Sequence, residues 1–71
     1  MMELIILKTN LNNVTHVNKF KPLFDLHPAI QDWNVDTEDV DKVLRIESAD
    51  LNELDVIQLL TSYGIYSEPL S

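Results

Sequence analysis

Seventy-one residues make one domain with a small core, because a chain of this size buries roughly 60% of its unfolded surface, which leaves no room for a second domain or a deep catalytic cavity. Twelve acidic residues against five basic give a formal charge of −7, which repels a phosphate backbone and removes the attraction behind most nucleic-acid affinity. Cysteine is absent, so disulfides, thiolate nucleophiles and thiolate-bound metals are excluded as well.

The opening run Met1-Met2-Glu3-Leu4-Ile5-Ile6-Leu7 is too short to span a bilayer and lacks the basic start and small-residue cleavage site of a secretory signal. It reads as a strand, with no membrane association and a cytoplasmic location expected. Within it Leu4-Ile5-Ile6-Leu7, followed by Lys8-Thr9, suits a first strand buried on one face and partly covered on the other. Residues 10–13 form a polar turn in which Asn12 or Asn13 suits a helix N-cap. Val14, Val17, Phe20 or Lys21, and Phe24 then recur at spacings of three or four, predicting a helix of about three turns with an apolar stripe. Pro22 lies inside that pattern and offers no N–H to the Asn18 carbonyl. The helix ends at Asp25-Leu26-His27-Pro28, because the residue before a proline avoids the α region.

Ile30, Trp33 and Val35 follow, the last two alternating with Asp32, Asn34 and Asp36 as in a half-buried second strand. An acidic connection without glycine, residues 37–41, leads to a third strand over residues 42–47, where Leu44 and Ile46 share a face; the two strands make a hairpin. Asp50 with Glu53 three residues later resembles a capping-box start. Leu54, Ile57 and Leu60, with Val56 beside them, form the buried stripe of a second helix, which Gly64 ends in the left-handed conformation. Residues 65–70 are a short last strand, placed at an edge or at its end by Pro69. The order βαββαβ predicts an α+β ferredoxin-like sandwich: a four-stranded antiparallel sheet with both helices on one face.

On these residues the chain resembles the heavy-metal-associated domain family of small copper chaperones and metal-pumping ATPase repeats, over nearly its whole length. Residues 4–9 match that family's first strand; Trp33-Asn34-Val35-Asp36 followed by Asp41-Lys42-Val43-Leu44 resembles its central hairpin. Residues 54–65, closing on Tyr63-Gly64-Ile65, resemble its second helix. The family carries Cys-x-x-Cys after the first strand, which the resemblance places on Asn13-Val14-Thr15-His16. Both cysteines are missing, and soft ions such as Cu(I) are held by thiolates. The resemblance thus implies a degenerate member with no Cu(I) cofactor.

Two readings of Asn13 and His16 stand: a remnant in which His16 ligates Zn(II), Cu(II) or Ni(II) through imidazole, or a helix start with no metal. His27 cannot complete such a site, lying about 16 Å further along the helical rise. Met1 and Met2 read as initiator and core filler rather than thioether ligands. Asp32, Asn34 and Asp36 invite a calcium reading, but an EF-hand needs glycine at the sixth position and glutamate at the twelfth, where Thr37 and Val43 stand. The acidic set Asp32, Asp36, Glu38, Asp39 and Asp41 is therefore a solvated strand face and turn that also offers a docking patch for a basic partner.

Trp33 reads as core packing unless it points to the open face of the sheet, where an exposed indole marks an interface. With no cysteine nucleophile, no histidine with a serine partner and no glycine-rich phosphate loop, a non-enzymatic role is expected. The expected role is a protein-interaction or vestigial metallochaperone module, a monomer or weak dimer. It would meet a protein partner through the loop after the first strand or the acidic hairpin. The surface candidates are Asn10, Asn12, Asn13, Thr15, His16, Trp33, Asp36, Glu38 and Asp39. The alternatives are a metal-binding protein of altered selectivity anchored by His16, and a small-ligand regulatory domain.

Overall fold

The computed structural model describes residues 2–70; Met1, read as the initiator, lies outside them. The chain runs β1 (Glu3–Thr9), α1 (Val14–Asp25), β2 (Asp32–Asp36), β3 (Val43–Ser48), α2 (Glu53–Ser62) and β4 (Ser67–Pro69). The strands form one antiparallel sheet in the order β2-β3-β1-β4. This is the ferredoxin-like α+β sandwich. β1 and β2 run the same way with β3 between them, and β3 and β4 likewise flank β1, so the two longer strands lie at the centre of the sheet.

Period-two alternation divides the strands into two faces. Ile5 and Leu7 of β1 and Leu44 and Ile46 of β3 point to one side and are at most 3% exposed. Phe20 and Phe24 of α1 and Val56 and Leu60 of α2 close over them, so both helices cover that face. Leu11, Ile30 and Ile65, all in connections, complete the core. Rings tie the helices together: Phe24 lies 6.0 Å from Tyr63 and Phe20 lies 6.3 Å from it, centroid to centroid.

Several sequence expectations are corrected. Val14 and Leu54, placed on the apolar stripes, are 62% and 61% exposed. Each sits in the first turn of its helix, about 120° around the axis from the buried Phe20 or Leu60 six residues on. Met2 is half exposed rather than a core filler. The capping box of α2 is Asn52 with Asp55, not Asp50 with Glu53: the Asp55 N–H donates to Asn52 Oδ1 at 2.9 Å and the Asn52 N–H to Asp55 Oδ2 at 3.1 Å. Asp50 belongs to a preceding turn in which the buried Ser48 Oγ accepts from the N–H groups of Asp50 and Leu51. Ile30 is buried but precedes β2 in a turn, its N–H donating to the His27 carbonyl. β4 is confined to three residues, with Ile65 in the core ahead of it.

The β2–β3 connection has no glycine, and Lys42 takes the left-handed conformation instead, at φ 49°. Asp36 Oδ1 accepts from the N–H groups of Glu38 and Asp39, and Asp39 Oδ1 accepts from that of Asp41. Aspartate side chains thus build successive turns that backbone flexibility would otherwise have to supply.

Candidate functional site

β1 and β2 end, and β3 and β4 begin, at one pole of the molecule. The loop of residues 10–13, the start of α1 and the acidic hairpin therefore meet there. Thr9, 7% exposed, is the joint: its N–H donates to the Asp41 carbonyl at 3.1 Å and its hydroxyl to the Lys42 carbonyl at 2.6 Å. The same hydroxyl accepts from the Leu11 N–H, which starts the loop. Asn10 ties the loop to β4, since its N–H donates to the Tyr66 carbonyl and its Oδ1 accepts from the Tyr66 N–H.

Asn13 is the N-cap of α1, its Oδ1 accepting from the His16 N–H at 2.8 Å. The His16 side chain reaches back, Nδ1 accepting from the Asn12 N–H at 3.4 Å, while its ring packs 5.6 Å from that of Phe20. Asn13 thus fills for α1 the N-cap role that Asn52 fills for α2, satisfying an N–H of the first helical turn, while His16 accepts from the residue ahead of the cap rather than from the cap itself. An accepting Nδ1 puts the proton of the neutral ring on Nε2. A metal at Nδ1 would have to displace that contact. Among the described residues no group of three or more His, Asp or Glu side chains is arranged to hold a metal ion.

The remaining sequence candidates divide. Asn10, Asn12, Asn13 and Thr15 are exposed at this pole with Glu38, and Asp36 and Asp39 are engaged in the hairpin turns. Trp33 is elsewhere: it pairs with Ile46 on the helix-covered face and packs 4.8 Å from the Phe24 ring. Its Nε1–H donates to Asp25 Oδ1 at 2.7 Å. That contact and the 2.7 Å bond from Lys21 Nζ hold the Asp25 carboxyl below the ordinary carboxylate range, with Lys21 the larger cause. His27 sits past the far end of α1, its Nδ1 accepting from the Ala29 N–H.

Three exposed apolar residues at the pole escape a pattern-based reading. Val40, 89% exposed, caps the acidic hairpin; Val14 and Tyr66 are 62% and 58% exposed. Their signals in the sequence are weak: Tyr66 stands two residues past Gly64, and Val40 is the sole apolar residue of the acidic connection over residues 37–41. The Tyr66 hydroxyl donates to Glu68, which raises the phenol pKa through that bond and the carboxylate charge. Lys8 bridges Asp41 and Glu68 at 3.5 and 3.7 Å, and the Asp41 charge above all raises its pKa.

Fold and site together define a small ferredoxin-like domain whose loop pole is acidic at the hairpin, amide-rich at the helix start and apolar at its tips. No family model, curated protein or solved structure matches the chain. None of the described helices is long and apolar enough to cross a membrane.

Proposed function

We propose that this chain is a non-enzymatic protein-interaction module, a degenerate relative of heavy-metal-associated domains that contacts its partner with the loop pole. The observation that carries the reading is the engagement of both side chains with backbone at the start of α1, Asn13 Oδ1 accepting from the His16 N–H and His16 Nδ1 from the Asn12 N–H. Those two positions stand where the resembling family holds its ion, and here they stabilise backbone. What the pole then offers is recognition: Val14, Val40 and Tyr66 as apolar contacts, rimmed by the carboxylates of Glu38 and Asp39 and the amides of Asn10 and Asn12. Such a surface favours a basic partner, with the charges governing encounter and the apolar tips residence.

An amide NMR titration with Zn(II), Cu(II), Ni(II) and Cu(I) tests the first half, and an unchanged spectrum is expected. Shifts confined to residues 12–17 at stoichiometric metal would overturn it in favour of a site anchored by His16. For the second half, a partner captured by the wild-type chain should be lost by Val40→Asp combined with Tyr66→Ala. Full retention by that folded double variant rules the pole out.

A further inference from the structure

The face of the sheet opposite the helices carries its own pattern. Along β1 it presents Leu4 and Ile6, with Met2 continuing the alternation towards the N-terminus. Leu70 follows Pro69, whose partner is Leu7, and so continues the β4 register towards Ile6. Met2, Leu4 and Leu70 are 50%, 55% and 44% exposed. Together with half-buried Ile6 they make an apolar stripe along β1, and contiguous exposed apolar surface, unlike singly scattered hydrophobics, marks a contact site.

Beside the stripe lies an acidic row. Glu47 is opposite Leu4, and Asp32 is opposite Glu47. The next row is Ile6, Arg45 and Asn34, with Arg45 Nη1 donating to Asn34 Oδ1 at 3.3 Å rather than to a carboxylate. Leu4, Asp32, Asn34, Arg45 and Glu47, with Trp33, line a depression of about 160 Å³. On the other flank Glu68 stands opposite Lys8.

From this juxtaposition we infer that the open sheet face is a second docking surface, whose occupant is a cationic amphipathic helix of another protein. Its apolar side would lie along Met2, Leu4, Ile6 and Leu70, and its lysines or arginines over Asp32 and Glu47 on the β2 flank, since Glu68 on the other flank is already bridged by Lys8. Charge selects this occupant over a second copy of the chain. The face carries more carboxylates than cations on a molecule of net charge −7, so two copies repel where a cationic helix is attracted. The inference is independent of the loop pole, which lies at the end of the strands rather than on their face.

The probe is a synthetic Leu/Lys amphipathic peptide of about five helical turns, titrated into the full chain and followed by amide NMR. Shifts are expected at Leu4, Ile6, Arg45, Glu47 and Leu70, and none with the same peptide carrying glutamate for lysine. The pair Asp32→Lys/Glu47→Lys should weaken binding about tenfold or more, a loss of roughly 1.4 kcal/mol. Asn18→Lys/Glu53→Lys/Gln58→Lys changes net charge equally but at exposed positions of the helices, which cover the opposite face, and should leave affinity within about twofold. Equal losses in the two variants would reduce the effect to bulk charge and overturn the proposal. Shifts centred on the hairpin tip would overturn it too, as would face shifts that grow with protein concentration without peptide. Trp33 fluorescence verifies that each variant is folded.

Discussion

Asn13 and His16 are the residues on which the functional reading turns, and their role is measurable as stability. An N-cap truncation removes an acceptor from the first helical turn, so Asn13→Ala is expected to cost about 1 kcal/mol. His16→Ala should cost less, because its bond from the Asn12 N–H is long at 3.4 Å. Urea unfolding followed by Trp33 fluorescence reads both, and a neutral Asn13→Ala would contradict the capping role.

Asp25 supplies a pH signature at the same scale. Its folded pKa is lowered by Lys21 first and by the Trp33 indole second, so the stability it contributes is present above the ordinary carboxylate range. That contribution is lost as pH falls through the lowered folded pKa. Lys21→Met should therefore lower the melting temperature at neutral pH. The gap to the wild type should narrow as the pH falls through the ordinary carboxylate range and close below the lowered folded pKa, and a gap independent of pH would assign the loss to packing instead.

At the scale of elements, α2 separates pattern from burial. Leu60 is fully buried and Leu54 is 61% exposed, although both belong to the same apolar spacing. Leu60→Ala should cost about 2–5 kcal/mol by cavity formation, whereas Leu54→Ala should stay within about 0.5 kcal/mol. Chemical denaturation of the two variants decides it, and similar costs would mean that the helix is rotated. In the β2–β3 connection, Lys42 holds φ 49°, a conformation that a β-branched residue tolerates poorly. Lys42→Val should destabilise by about 1–2 kcal/mol. Lys42→Gly relieves the backbone but loses the Nζ bond to the Thr37 carbonyl at 2.7 Å, so it should fall well above the valine variant in melting temperature.

At the scale of the whole molecule, charge dominates. The ion pairs of Lys8 and Lys21 are solvent-exposed, and solvent screening leaves such pairs little net stabilisation. The net charge of −7 acts over the entire surface. Raising ionic strength screens that self-repulsion, so added sodium chloride should raise the melting temperature. A fall would mean that the local pairs outweigh the global repulsion.

Local pattern carried the architecture. The continuous apolar run of β1, alternation in β2 and β3, the three-and-four spacings of α1 and α2, and Gly64 after α2 are local signals, and the βαββαβ order follows from them. The absence of cysteine likewise removes thiolate ligation from the chain without reference to its shape.

Tertiary placement decided the rest. The side of the sheet taken by Trp33 depends on its pairing with Ile46 and its contact with Phe24, partners 13 and 9 residues away. The meeting of the β1–α1 loop with the acidic hairpin depends on Thr9 reaching Asp41 and Lys42 across the sheet. Which residues of an apolar spacing are covered depends on the face the sheet takes: Val14 and Leu54, about 120° around their helices from Phe20 and Leu60, face solvent. Periodicity records which residues share a face of one element, but only the packed chain determines what that face meets.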